Sequence, residues 1–252
     1  MTEKYLSGLV SVSFRKHTPR EILAAMREAG LTHIEWGSDV HAPCRDTARL
    51  VEIAALQAQY EVVCSSYGTY FRLGETPLSE LEAYIAAAKC LGTDILRLWC
   101  GTKSGADMTP QEKEALLDIC RAAAEIAARN GVTLCMECHR GTLTEHAADA
   151  VWLMEAVASP HFKMYWQPFQ WQTSTQNMEN AKKIAPYATH LHVFNWKGSL
   201  KLPLAQAIDE WRAYLAAFSV PRTLLLEFMP NDTLEELAVE AEALKKIIGE
   251  EA

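Results

Sequence analysis

Residues 95–139 read ILRLWCGTKSGADMTPQEKEALLDICRAAAEIAARNGVTLCMECH. The stretch opens with a short apolar run, Ile95–Cys100, whose length and flanking polar residues suit a buried strand. Thr109-Pro110-Gln111-Glu112 then supplies an N-cap hydroxyl, a proline at the first helical position and a carboxylate at N3, which together mark a helix start. Asn130-Gly131 offers residues suited to the left-handed conformation that ends a helix, and a second apolar run, Val132–Cys138, follows. Strand, capped helix, strand is the order of a βαβ crossover, which makes parallel sheet.

Working outward, the same alternation covers the whole chain. Strands are expected at Gly8–Phe14, His33–Trp36, Glu61–Ser66, Ile95–Cys100, Val132–Cys138, Lys163–Gln167, His190–Asn195 and Thr223–Phe228. Helices are expected to begin near Pro19, Thr47, Pro77, Pro110, Glu145, Asn177, Pro203 and Thr233. Thr18-Pro19-Arg20-Glu21 repeats the start signal of Thr109, and Asp232-Thr233-Leu234-Glu235 resembles it without the proline. An open doubly wound sheet would carry a Gly-rich phosphate loop after its first strand, where this chain has Ser13-Phe14-Arg15-Lys16-His17. The reading is therefore α/β, a single (β/α)8 barrel spanning residues 1–252 as one domain, a length usual for that architecture.

The net charge of −8 argues against a nucleic-acid partner, which would call for a basic face. No run approaches 18 apolar residues and the N-terminus lacks a signal-peptide pattern, so no membrane partner is expected and the location expected is cytoplasmic. Seven cysteines lack the paired framework of secreted proteins. Cys135 and Cys138 have C-x-x-C spacing, but along a strand those two side chains point to opposite faces.

In such barrels the strand C-termini and the loops after them carry function. Glu137, Gln167, His192 and Glu227 all lie near the ends of the last four strands. A glutamate between Leu226 and Phe228 must be paired, protonated or bound to a cation. An ion pair with Arg97 would satisfy one glutamate alone, whereas two glutamates, a histidine and an amide converging from adjacent strands favour a divalent-metal site.

This pattern resembles the xylose isomerase-like TIM-barrel superfamily, the sugar phosphate isomerases and epimerases, over essentially the full chain. The resemblance implies a metal set of Glu, Asp, His and Glu from strands five to eight. Glu137, His192 and Glu227 match it, and Gln167 departs from it. A neutral amide in place of aspartate removes one negative charge, although the hydroxypyruvate isomerases of the superfamily use a glutamine among their ligands. Ser-Val-Ser-Phe-Arg, Ile-Glu-Trp-Gly-Ser-Asp-Val-His and Tyr-Trp-Gln-Pro are similar to a poorly characterised branch of the same superfamily. The cofactor implied is Mn²⁺, Mg²⁺, Co²⁺ or Zn²⁺. Abasic-site endonucleases of the superfamily need a multi-zinc cluster and a basic DNA face, and this sequence has neither signal.

A second feature points to a sugar or polyol as small-molecule partner. Trp36, Trp99, Trp166, Trp171 and Trp196 fall at or just beyond strand ends, and aromatic faces pack on the C–H patches of polyols. The same side chains could cover a lid or a homo-oligomer interface. His41, Arg97, Trp99, His139, Trp196 and Lys197 are the candidate substrate-binding residues. Arg97 could equally pair with Glu35 or Glu137, and the loop from Lys197 to Lys201 could cradle a phosphate.

The function expected is a metal-assisted isomerase or epimerase of a hydroxy-carbonyl sugar, with proton transfer through an enediolate and Glu137 and Glu227 as catalytic bases. A lyase or dehydratase acting on a keto-sugar or keto-polyol begins with the same proton removal. A non-catalytic sugar-binding barrel is the rival from another class.

Overall fold

The structure, a computed structural model, describes residues 5–249. Eight parallel strands close into a barrel: β1 (Leu6–Val10), β2 (His33–Gly37), β3 (Val63–Leu73), β4 (Ile95–Cys100), β5 (Thr133–Met136), β6 (Phe162–Trp166), β7 (Ala188–Val193) and β8 (Thr223–Leu226). Each strand pairs with its sequence neighbours, and β1 closes the ring on β8 through Leu6↔Thr223 to Leu9↔Leu226. Eight helices surround it: α1 (Pro19–Ala29), α2 (Thr47–Tyr60), α3 (Leu81–Leu91), α4 (Pro110–Asn130), α5 (Ala147–Val157), α6 (Ser174–Ile184), α7 (Ile208–Leu215) and α8 (Leu234–Ile248).

Start signals in the sequence act as expected at α1 and α4. Thr18 with Glu21, and Thr109 with Glu112, form reciprocal capping boxes that satisfy backbone N–H groups of the first turn. Thr173 with Gln176 does the same for α6, three residues upstream of the start expected at Asn177. Thr233, by contrast, caps α8 without a side-chain hydrogen bond to the backbone of the first turn, and Asp232 before it has a left-handed backbone and pairs with Lys201.

Strand ends differ from expectation in a consistent way. The run Gly8–Phe14 is strand only to Val10, and Ser11–Phe14 forms a 3-10 turn. Its alternating serines looked like strand pattern, yet Ser11 Oγ accepts from the Gly37 N–H and Ser13 Oγ from the Phe228 N–H, both at 2.9 Å. These serines tie the first turn to the ends of β2 and β8. Likewise Glu137, Gln167 and Glu227 each sit one residue beyond the last strand position. β3 runs seven residues past its expected end at Ser66, with a register shift between Gly68 and Arg72.

Alternation along the strands divides the interior. Leu9, Ile34, Leu96, Leu98, Leu134, Met136 and Trp166 face the helices in the larger apolar layer. Inside the ring, Val10, Cys135, Tyr165 and Leu225 form a small apolar plug. Cys135 lies in that plug and Cys138 in the outer layer, so the C-x-x-C pair is split between faces, and burial pushes both thiols up to about 12. Among the described residues, no helix is long and apolar enough to cross a membrane.

Candidate active site

At the C-terminal end of the barrel the interior turns polar. Glu137, His192 and Glu227 each bring one donor atom within 4.8 Å of the others, and all three are buried. His192 is the hub. Its Nδ1 lies 2.8 Å from Gln167 Oε1, 3.4 Å from Glu227 Oε2 and 4.0 Å from Glu137 Oε1. The expected four-residue set therefore converges around one imidazole nitrogen. Tyr165 packs edge-on against the His192 ring at 5.1 Å and holds it upright.

Arg97 ties the floor of the site together. Its Nε donates to Glu35 Oε1 at 2.7 Å and its Nη1 to Glu137 Oε2 at 2.5 Å, so both partners foreseen for it are engaged at once. A β-carbon on Gly68 would sit 2.5 Å from Glu35 Oε1 and 2.8 Å from Arg97 Nη2, so only glycine leaves room for the pair. Trp99 Nε1 adds a second donor to Glu137 Oε2, at 2.7 Å.

The two glutamates are thus held differently. Burial opposes ionisation of Glu137, but Arg97 and then His192 outweigh it and keep its carboxyl below the usual range. Glu227 has no such partner among the described residues beyond its 3.4 Å approach to His192. Burial, with Glu137 adding repulsion, outweighs the pull of His192 and raises the Glu227 carboxyl above the usual value. Phe228, the next residue, adopts a left-handed backbone (φ 50°) with its N–H held by Ser13, a strained turn that fixes where Glu227 points.

The donor set fits a divalent cation. His192 Nε2 is buried without a hydrogen-bond partner among the described residues, 3.8 Å from Glu35 Oε2. Burial opposes charge on the His192 ring, but Glu227 and then Glu35 outweigh it and raise its pKa above the ordinary value, so the carboxylates around the ring call for a positive charge. A cation held by Nδ1 would supply that charge and leave the ring proton on Nε2, aimed at Glu35, the carboxylate–histidine–metal arrangement. Two carboxylates, an imidazole and an amide oxygen suit Mn²⁺, Mg²⁺, Co²⁺ or Zn²⁺.

Above the set lies a cavity of about 250 Å³, bordered by Arg15, Tyr70, Arg97, Trp99, Glu137, His139, Gln167, Gln170, Trp196, Glu227 and Phe228. Trp99, His139, Trp196 and Arg97 are thus brought together with the four converging residues. His41 and Lys197 are not. His41 is buried beneath the first turn between Ser11 Oγ and the His17 carbonyl, both at 3.1 Å. Lys197 lies outside in a short hairpin (Trp196–Lys197 with Leu200–Lys201) and pairs with Glu210 at 3.0 Å.

Of the tryptophans expected at the mouth, Trp36 and Trp166 face the helices instead. Trp36 Nε1 donates to Gln57 of α2, and Trp166 packs against Trp211 and Tyr214 of α7. Strand alternation turned them outward. A larger pocket, about 600 Å³, opens at the opposite end of the barrel beside Leu6, Lys163 and Arg222, away from the acid cluster. The sequence reading missed Arg15, Gln170 and Phe228. The position of Arg15 just after the first strand region was the available signal.

A family model described as xylose isomerase-like TIM barrel matches residues 23–206. The chain belongs to that family. A curated relative, the 3-dehydroshikimate dehydratase of Bacillus anthracis, is 23% identical over 122 residues; the match spans 48% of this chain and 44% of that protein. Among solved structures, a probable 3-DHS dehydratase of Bacillus anthracis is similar with a TM-score of 0.81 at 18% identity, covering 96% of this chain and 99% of that one. The IolI protein with a bound zinc atom is similar at 0.79 and 14% identity, covering 97% and 98%. At these identities the structural likenesses show the fold alone.

Proposed function

We propose that this barrel is a divalent-metal-dependent enzyme that removes a proton from the carbon beside the carbonyl of a polyhydroxylated keto compound, with Glu227 as the base. The observation that carries the reading is the unequal holding of two converging glutamates. Glu137 Oε2 accepts from both Arg97 and Trp99, whereas among the described residues the Glu227 carboxylate borders the cavity with only His192 Nδ1 near it, at 3.4 Å.

Glu137, Gln167, His192 and Glu227 would hold a divalent cation, which would supply the Lewis-acid charge that makes the neighbouring C–H acidic. Glu227 takes the proton, and the strained turn at Phe228 keeps its carboxylate aimed. Trp99 and Trp196 offer faces for the apolar side of a polyol, and His139, with its ring centroid 5.1 Å from that of Trp99, offers a polar partner. Arg97 acts through Glu137, which it orients. One free base on one face suits isomerisation, in which the proton returns to the neighbouring carbon, better than epimerisation between two opposed bases.

A second outcome, dehydration, is supported by the likeness to 3-dehydroshikimate dehydratase. There the same proton removal is followed by departure of the hydroxyl on the next carbon, which leaves as water after taking up a proton. The test is hydrogen exchange in heavy water with Mn²⁺-loaded protein and either 3-dehydroshikimate or a ketose panel. The expected result is loss of the hydrogen beside the carbonyl to solvent, by exchange or in product. Turnover that retains that hydrogen, or equal exchange after the metal is stripped, would overturn the proposal.

A further inference from the structure

Building on the proton-abstraction reading, we infer that the substrate carries a carboxylate and that Arg15 reads it. Arg15 sits in the turn between the 3-10 segment Ser11–Phe14 and α1, and its side chain is 39% exposed. It is already fixed in place: Nε donates to Asp39 Oδ2 at 2.6 Å, Nη1 to the Val12 carbonyl at 3.0 Å, and Nη2 to the Tyr70 hydroxyl. A guanidinium has five N–H groups, so these three bonds leave two for a ligand. An arginine held this way binds an anion without first losing side-chain freedom.

Its position is a junction. Arg15, Val12 and Phe228 border the cavity above the four converging residues and also a second cavity of about 260 Å³ that adds Ser13, Lys16, His17, Asn231 and Asp232, whose carboxylate is paired with Lys201. A molecule whose carbonyl end reaches Glu227 would extend past Arg15 toward that side.

The charge of the mouth agrees. In a chain with net charge −8, Arg72 lies over Trp99 at 4.7 Å, Arg140 over Trp171 at 5.1 Å and Lys201 over Phe228 at 4.9 Å. Among the described residues, neither Arg72 nor Arg140 forms an ion pair, so their charge is available to steer an anion inward.

A carboxylate fits better than a phosphate. The helices that start beside the two cavities both carry acids in their first turns, Glu21 in α1 and Glu235 and Glu236 in α8, so neither N-terminus is available to a dianion. The two open N–H groups, one on Nη1 and one on Nη2, match in number the two oxygens of a carboxylate.

The experiment is titration calorimetry on Mn²⁺-loaded and metal-stripped protein with 3-dehydroshikimate, its methyl ester and D-fructose. The loaded wild type is expected to bind the acid about tenfold or more tighter than the ester. Arg15→Gln should erase most of that preference with the melting temperature preserved, and Arg15→Lys should restore part of it. Acid and ester binding alike, no binding of the acid, or full preference in Arg15→Gln would overturn the inference. Comparison of acid with ester in the wild type needs no variant to fold. An Arg15-dependent preference without hydrogen exchange would leave the inference standing and sink the proton-abstraction reading. Exchange on D-fructose with no preference for the acid would do the reverse.

Discussion

The two walls of the barrel mouth do different work. Strands β5 to β8 present Glu137, Gln167, His192 and Glu227 to a common point, each from a strand end. Strands β2 to β4 contribute Glu35, Gly68, Arg97 and Trp99, which border, clear or grip that point from behind. Glu137 is where the walls meet: it belongs to the converging cluster, yet one of its oxygens is committed to the opposite wall. Under the function proposed above, one half supplies the reactive groups while the other fixes their charge state and direction. Substitutions should therefore separate into those that cost turnover and those that cost stability.

Glu227→Gln should give the largest effect. The amide can still offer an oxygen to a cation but cannot take a proton, so turnover should fall about 10²- to 10⁴-fold. Because no donor locks the native carboxylate, stability to urea should change by less than about 1 kcal/mol. Full turnover in this variant would mean that the base lies elsewhere and that the two walls are not divided as described.

Arg97→Met should invert that result. It strands Glu35 and Glu137, both buried, without their cation, a loss of about 3–5 kcal/mol measured by urea unfolding. Adding Glu35→Gln to Arg97→Met should recover part of the loss, since one stranded charge is removed. A single variant as stable as the wild type would show that the opposite wall is not bracing the site through this pair.

The two walls were also unequally legible in the sequence. A glutamate in Leu-Leu-Leu-Glu-Phe-Met and a histidine in His-Leu-His-Val-Phe stand out because an apolar strand end has no local use for them. Eight strand–helix repeats with strong caps at Thr18 and Thr109 made the barrel equally plain. The bracing wall was harder: the signal at Glu35 in Ile-Glu-Trp was available, but Arg97 had three possible acidic partners, and only the closed ring shows that it takes two. Tryptophans misled because proximity to a strand end says nothing of which face a side chain takes, and Trp36 and Trp166 face the helices. Gly68 gave no signal at all, since the need for it arises from β2 and β4 meeting behind it. Gly68→Ala tests that need. With its β-carbon 2.5 Å from Glu35 Oε1, it should displace the ion pair and cost about 1–3 kcal/mol, read by the same urea titration. A neutral effect would show that the pair can shift without loss.

The smallest expected effect concerns His41, which supports the wall of the mouth at β1 and β2 without bordering the cavity. The His17 carbonyl can only accept, so Nε2 carries the proton, and Nδ1 accepts from the Ser11 hydroxyl, whose oxygen in turn accepts from the Gly37 N–H. This chain of bonds uses the neutral ring. Burial lowers the His41 pKa below the ordinary histidine value, against an opposing pull from the His17 carbonyl and Asp39. A depressed histidine pKa means that the unfolded chain binds the proton first as pH falls. The contribution of His41 should therefore be complete above about pH 6.5, the unfolded value, and decline as pH drops below it through the folded value. Urea unfolding of the wild type and His41→Gln from pH 7.5 to pH 5 checks the sign, the wild-type advantage being expected to shrink toward acid. An advantage that held constant or grew toward acid would mean that the folded protein accepts the charged ring, and that the Ser11 link does not require the neutral one.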